Sequence, residues 1–339
     1  MGSSYLPTGK VSKDVLKRLV LTCLGIPTNR VLKGSGVGED SAVIDMGDRV
    51  LVAKANPITG AESRIGWLAV HINANDVAVR GAEPRWYMST VLLPEGADEM
   101  LLETIMKEQH EACCGLGVSV VGGHTEVAPG LTRPIISGFM LGEVSKENLM
   151  ASNGVNAGDA IVLTRGAGIE GTGILAVDLR HRLEGLISFD TLDRAAEMLK
   201  QISVVPEALK ASKVGGVHVI HTPTEGGVYN GLLEVSEASG LGVKVYESKL
   251  LLAPETKEIC EALDVDPFKL LSSGSLIIVV DPSKARDLIK ALAETGVKAR
   301  MIGEMTSNPS ERLIIGRDGS VKTVDEVKQD ELYRVLGSN

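Results

Sequence analysis

Asn75-Asp76-Val-Ala-Val-Arg-Gly-Ala-Glu-Pro84 begins late in a stretch, 65–80, whose apolar residues recur at helical spacing. A glycine-and-acid segment lies on either side of it, Gly36-Val-Gly-Glu-Asp-Ser-Ala-Val-Ile44 before and Val121-Gly-Gly-His-Thr-Glu126 after. Glycine amides approach phosphate oxygens with no Cβ in the way, and nearby carboxylates hold the Mg²⁺ that neutralises those oxygens. The three segments together read as one divided phosphate-and-metal site, the mark of a nucleotide binder.

Working outward, strand-like and helix-like segments alternate, which is the pattern of α/β or α+β layers. Strands are expected at 50–54, 88–93, 118–121 and 135–144, with helices at 65–80 and 98–114. After the linker Ser152-Asn-Gly-Val-Asn-Ala-Gly158 a second set follows. It has strands at 160–164, 242–246, 275–280 and 299–302 and helices at 189–203, 228–239, 254–263 and 284–294. Each set closes on an apolar-Gly-Glu echo, Phe139-Met-Leu-Gly-Glu-Val144 and Arg300-Met-Ile-Gly-Glu-Met305. At 339 residues the chain also exceeds what one hydrophobic core comfortably serves. Two domains are expected, 1–150 for nucleotide binding and dimerisation and 151–339 as a second α/β unit.

The formal charge of −9 and the absence of any basic run argue against nucleic acid or an anionic membrane as partner. Aromatic residues are only 3% of the chain, which removes the stacking platforms of a single-strand binder. Charged residues interrupt every apolar run before it reaches the length of a membrane span. Cys23, Cys113, Cys114 and Cys260 lack C-x-x-C spacing and follow a polar, glycine-rich start, so reduced thiols and a cytoplasmic location are expected. Cys23, in the apolar run 15–24, reads as a core thiol, and Cys113-Cys114 as a helix end before Gly115.

The combination of Gly-Val-Gly-Glu-Asp-Ser-Ala-Val, Val70-His-Ile-Asn-Ala-Asn-Asp-Val-Ala-Val-Arg-Gly-Ala-Glu-Pro84, Val121-Gly-Gly-His-Thr and Thr222-Pro-Thr-Glu-Gly-Gly227 resembles the aminoimidazole ribonucleotide synthetase superfamily. That group includes thiamine-monophosphate kinases, selenophosphate synthetases and the HypE type of hydrogenase maturation protein. The likeness runs from about Gly9 to Thr306 in the expected order, and the Asn-Asp…Gly-Ala-Glu-Pro piece is its most specific part. It implies a PurM-like two-domain fold whose N-terminal sheet domain dimerises. It also implies ATP with Mg²⁺ between the domains, used to phosphorylate a small molecule or to activate an amide or carboxyl-like oxygen. On that resemblance Lys10, Gly38, Asn56, Asn75, Gly122, Gly123, Thr125, Thr224 and Glu225 would contact the nucleotide. Glu39, Asp40, Asp76 and Glu126 would hold the metal, with Asp76 and His124 acting in the chemistry.

Three departures thin the acids of the pattern. Asn56 stands at an acidic place in Ala53-Lys-Ala-Asn-Pro57, His124 replaces the Asp of Gly-Gly-Asp-Thr, and Thr222 replaces the Asp before Pro-Thr. Each lost carboxylate weakens the attraction for a divalent ion, so lower metal affinity is expected. No cysteine follows Cys260 in the sequence, which argues against chemistry carried on a C-terminal thiol. The expectation is a homodimeric ATP-dependent enzyme nearest HypE and thiamine-monophosphate kinases. The alternatives are a kinase of the latter kind and a nucleotide-binding scaffold whose metal site has decayed. His218 and His221 lack the third ligand of a zinc site, and Arg165-Gly-Ala-Gly-Ile-Glu-Gly-Thr-Gly173 reads as a loop able to hold an anion or simply to turn.

Overall fold

A computed structural model describes residue 6 and residues 9–36, 38–39, 41–150 and 154–337. Two sheets organise it. The first has six strands: β1 Val31–Lys33, β2 Ala42–Asp45, β3 Arg49–Ile58, β4 Glu83–Leu93, β5 Ser119–Val127 and β6 Ile135–Ser145, in the order β1-β2-β3-β6-β4-β5. All its neighbours are antiparallel except β4 and β5. The second has seven: β7 Ala160–Thr164, β8 Val217–His221, β9 Gly242–Tyr246, β10 Ile277–Val280, β11 Ala299–Thr306, β12 Arg312–Ile315 and β13 Val321–Thr323, in the order β13-β12-β9-β11-β7-β10-β8. Its interior strands β7 and β10 are buried on both faces and, apart from Thr164, aliphatic, as strands covered on two sides must be.

The element that ties the molecule together is the helix Ile65–Ala78. Every one of its residues except Trp67 is buried, so its apolar character runs all round rather than along one stripe. One side lies on the first sheet, where β6 offers Gly138 and Gly142. A Cβ at Gly138 would come within 2.6 Å of Asn73 Nδ2, and one at Gly142 within 2.4 Å of Val77. Glycine at these two positions is what lets helix and sheet approach. The other side meets the second half of the chain. Asn75 donates its amide to the Ile202 carbonyl at 2.8 Å and accepts from the Val204 amide at 2.8 Å, while Trp67 Nε1 donates to the Leu199 carbonyl at 2.9 Å. Buried clusters consequently mix residues from both halves, for example Val77, Val144, Ala160 and Val204 in one and Ile65, Ile136, Leu175 and Leu332 in another. The helix Glu99–Leu116 covers the outside of the first, capped at its start by Asp98 and ended by Gly117 in the left-handed region at φ 67°.

One expectation changes here, and one open reading is narrowed. Cys23 is exposed, because the helical turns over residues 13–20 bury none of their side chains within the chain. The glycine-rich run 165–173 is a turn that enters a helix at Ile169, and several of its amides are already taken. Those of Ala167, Gly168 and Gly171 donate to the Leu251 carbonyl, Ser272 Oγ and the Leu271 carbonyl. The strands 50–54 and 88–93 are paired on both sides within the first sheet, and its open edges are β1 and β5. Cys113 is buried and Cys114 exposed at the end of their helix, both free thiols.

Candidate functional site

Asp76 sits where the central helix, β3 and the end of β8 converge. Residues two apart on a strand share a face, so Lys54 and Asn56 of β3 both point at the helix. Lys54 Nζ lies 2.8 Å from Asp76 Oδ2 and Asn56 Nδ2 donates to the same oxygen at 3.0 Å. From the second half, the Thr222 hydroxyl donates to Oδ1 at 2.7 Å. Asp76 is 2% exposed, and these donors supply the charge and hydrogen bonds that a buried carboxylate requires.

Beside this network a cavity of about 450 Å³ opens along the seam between the halves. Of the residues expected to bind a nucleotide, Lys10, Asn56, Thr224 and Glu225 line it. Thr224 and Glu225 are held there by a turn that only glycine accommodates: Gly226 and Gly227 have φ of 76° and 65°, and a Cβ on Gly227 would meet the Phe268 carbonyl at 2.5 Å. Asp330 pins this turn. Its carboxylate accepts from the amides of Gly226 at 2.6 Å, Leu271 at 3.3 Å and Leu332 at 2.8 Å, the last as N-cap of the helix Glu331–Leu336. That helix presents Tyr333, whose hydroxyl donates to Glu225 Oε1 at 3.1 Å on the cavity wall.

Glu170, Ser273, Tyr333 and Arg133 complete the wall and were not singled out in the sequence. Glu170 is 2% exposed and its Oε2 has no hydrogen-bond partner. Burial, with the charges of Asp330 and Glu225 nearby, raises its pKa to about 7. Burial likewise raises Asp330 to about 7 in spite of the three amides it accepts. A carboxyl poised near neutrality on a cavity wall is able to give or take a proton there. A larger open groove of about 990 Å³ runs between Arg194 and Lys298, but no residue singled out for nucleotide, metal or catalysis reaches it.

The remaining expected residues fall elsewhere. Gly122, Gly123, His124, Thr125 and Glu126 lie together on the exposed edge strand β5, and none lines the cavity. Gly123 has a packing reason to be glycine, since a Cβ would meet the Ser89 carbonyl of β4 at 2.5 Å. His124 Nε2 is 3.0 Å from Glu126 Oε2. Gly38 packs toward the helix Gly227–Ser239, and Glu39 accepts from Lys33 at 2.9 Å and Arg80 at 2.7 Å. Asn75 has both ends of its amide committed to the clamp on Ile202 and Val204. Lys10 is 3.6 Å from Glu234, which also accepts from His221 at 2.9 Å, and His218 is 3.7 Å from Asp159. Asp40 lies outside the described residues.

Among the described residues no cluster of three or more His, Cys, Asp or Glu side chains is arranged to hold a metal ion. Glu39, Asp76 and Glu126, the described carboxylates expected to do so, are each paired with a basic side chain of the same chain. As they stand, these residues do not form a ready-made Mg²⁺ centre, because basic side chains of the same chain stand where the carboxylates would face an ion. No helix among the described residues is long and apolar enough to cross a membrane.

Comparison with known proteins follows the same division of the chain. Residues 38–144 match the N-terminal domain of AIR synthase related proteins and residues 156–316 match the C-terminal domain. A Methanocaldococcus jannaschii protein named as a hydrogenase expression/formation protein is 28% identical over 311 residues, 88% of each chain. The carbamoyl dehydratase HypE of Cupriavidus necator is 28% identical over 309 residues, 88% of this chain and 86% of its own. A crystal structure of HypE in complex with ATP superposes with a TM-score of 0.71 at 25% identity, covering 97% of this chain and 98% of that one. The chain belongs to the AIR synthase related family, with the PurM-like mixed α/β architecture and with HypE proteins among its homologues.

Proposed function

We propose that this protein binds ATP at the seam between its halves and uses it to phosphorylate a small molecule or to activate a carbamoyl-type or similar oxygen. The observation that carries the reading is the seam cavity itself, where Lys10, Asn56, Thr224 and Glu225 come together from separate parts of the sequence. Support comes from family membership and from relatives, aligned over most of their length, that are named carbamoyl dehydratases. The ATP held by a HypE structure of similar fold adds to it. Lys10 and Arg133 supply positive charge for a phosphate, Thr224 a hydroxyl, and Glu170 a proton-exchanging group at the wall. Mg²⁺ enters on the nucleotide's own phosphates.

The working unit in this reading is a homodimer in the cytoplasm. The face of the first sheet turned away from the central helix carries Trp86 and Phe139, each more than a third exposed. A second copy would cover that apolar face, so the contact is made by the face of β4, β5 and β6 rather than by strand edges.

Mass spectrometry of nucleotides and small ligands retained by the purified protein, followed by calorimetric titration with ATP, tests the proposal. Wild type is expected to bind ATP and Thr224→Ala to bind it more weakly. Absence of binding at millimolar ATP would refute it, and binding without turnover in the presence of carbamoyl or phosphate-acceptor substrates would leave a nucleotide-binding scaffold.

A further inference from the structure

We propose that the ammonium of Lys54 permanently occupies the place of a divalent cation at Asp76, so that this acid serves as a metal-free clamp between β3, the central helix and β8. The argument starts from the donors. Around Asp76 stand Lys54 at 2.8 Å, Asn56 at 3.0 Å and Thr222 at 2.7 Å. Asn56 could present its carbonyl oxygen to an ion and Thr222 a lone pair. Lys54 cannot: an ammonium has three donors and no acceptor. A hard cation bound to Asp76 Oδ2 would therefore stand against a like charge in a largely dry site, Lys54 being 17% exposed and Asp76 3% at their side chains.

Burial makes the substitution durable. Lys54 reaches Asp76 from the neighbouring strand, and its departure would take a full positive charge away from a buried carboxylate. The charge Mg²⁺ would bring is thus supplied covalently, and two of the acids that the family pattern places around such an ion are replaced at Asn56 and Thr222 by neutral donors suited to a lone carboxylate. The same arrangement recurs at Glu39, whose oxygens go to Lys33 and Arg80.

The probe is Mn²⁺ alone, followed by electron paramagnetic resonance of the free ion, and then Mn²⁺ with a non-hydrolysable ATP analogue. Wild type and Asp76→Asn are expected to bind Mn²⁺ equally. Lys54→Ala, which removes the ammonium from Asp76, is expected to gain a site about tenfold or more tighter than any in wild type. The double variant Lys54→Ala/Asp76→Asn should lose that gain, and Mn²⁺ should raise the melting temperature of Lys54→Ala but not of wild type. Loss of a wild-type Mn²⁺ site on Asp76→Asn, or no gain in folded Lys54→Ala, would overturn the proposal. If Lys54→Ala does not fold even with Mn²⁺, the wild-type against Asp76→Asn comparison decides by itself. Because the first arm contains no nucleotide, failure to bind ATP would sink the functional reading and leave this test intact.

Discussion

Replacing Glu170 by glutamine should make the protein's stability depend differently on pH, and the size of the change follows from burial. Glu170 titrates near 4.5 when unfolded and at about 7 in the fold, where desolvation and the charges of Asp330 and Glu225 oppose its ionisation. Below pH 4.5 both states hold the proton, and Glu170 neither favours nor opposes folding. As pH rises toward 7 the unfolded chain releases the proton and the folded one keeps it, so stability falls with increasing pH. The loss is complete once pH passes the folded value. At about 1.4 kcal/mol per pH unit, the gap between the two values amounts to about 3 kcal/mol. The amide introduced by Glu170→Gln carries no charge in either state and avoids this loss.

The variant should therefore differ from wild type by a constant small amount at pH 4.5 and gain about 3 kcal/mol relative to it by pH 8. For a chain of 339 residues this corresponds to a rise of about 4 °C in melting temperature. Thermal melts of both proteins at half-unit steps from pH 4.5 to 8 give the difference curve. A flat difference across that range would show that Glu170 ionises normally and that the cavity wall is wetter than its geometry implies.

His71 supplies the opposite slope: burial drops its pKa to about 4, so wild type should lose about 2 kcal/mol between pH 6.5 and 5 as the unfolded chain alone takes up a proton, and His71→Phe should abolish that loss in the same melts. Asn75→Ala removes both hydrogen bonds of the clamp and leaves the Ile202 carbonyl and Val204 amide unpaired, with an expected cost of about 2–4 kcal/mol by denaturant titration; a cost under about 1 kcal/mol would show that the clamp is dispensable. Gly138→Ala places a Cβ within 2.6 Å of Asn73 and 2.8 Å of the Ala69 carbonyl, and should destabilise by about 2 kcal/mol or more. Phe139→Glu should convert a dimer to monomer by light scattering at micromolar concentration, and an unchanged mass would move the interface elsewhere.

The fold was legible because its elements follow their own periodicities. The strands at 160–164 and 242–246 appear at their expected bounds, and the helix 65–80 ends two residues early. The elements that escaped notice lack that signal. Val217–His221 interleaves two histidines among its valines, and Ile169–Asp178 begins inside a glycine cluster that reads as loop. At the candidate site, reading acids from motifs singles out Asp76 and the Thr224-Glu225 turn, which lie at and beside the seam cavity, but a motif records which acids are present and not which cations face them. Lys54 and Asn56 at i and i+2 gave the available clue, a charged and a polar residue on one face of an otherwise aliphatic strand. Glu170, Asp330 and Tyr333 had no such clue, since sites more than fifty residues apart in sequence meet only in the fold.

How a substrate gains entry follows from where the seam is fastened. The central helix is tied to the second half by Asn75 to Ile202 and Val204, by Trp67 to Leu199 and by Asp76 to Thr222, and the apolar clusters on either side of it contain residues of both halves. Opening the halves like a hinge would break these buried or half-buried hydrogen bonds and expose those clusters together, a cost comparable with unfolding. The mobile walls must be the lightly held ones. Lys10 meets Glu234 at 3.6 Å and its side chain is 67% exposed, so the side chain can shift without disturbing the core. The helix Glu331–Leu336 cannot follow it, because Leu332 and Val335 are buried and Asp330 holds the glycine turn through Gly226. On the proposed reading, entry past Lys10 leaves Glu225 and Tyr333, held by the Asp330 turn and its helix, as a fixed part of the wall, so the part of the substrate that reaches them is selected by shape and hydrogen bonding.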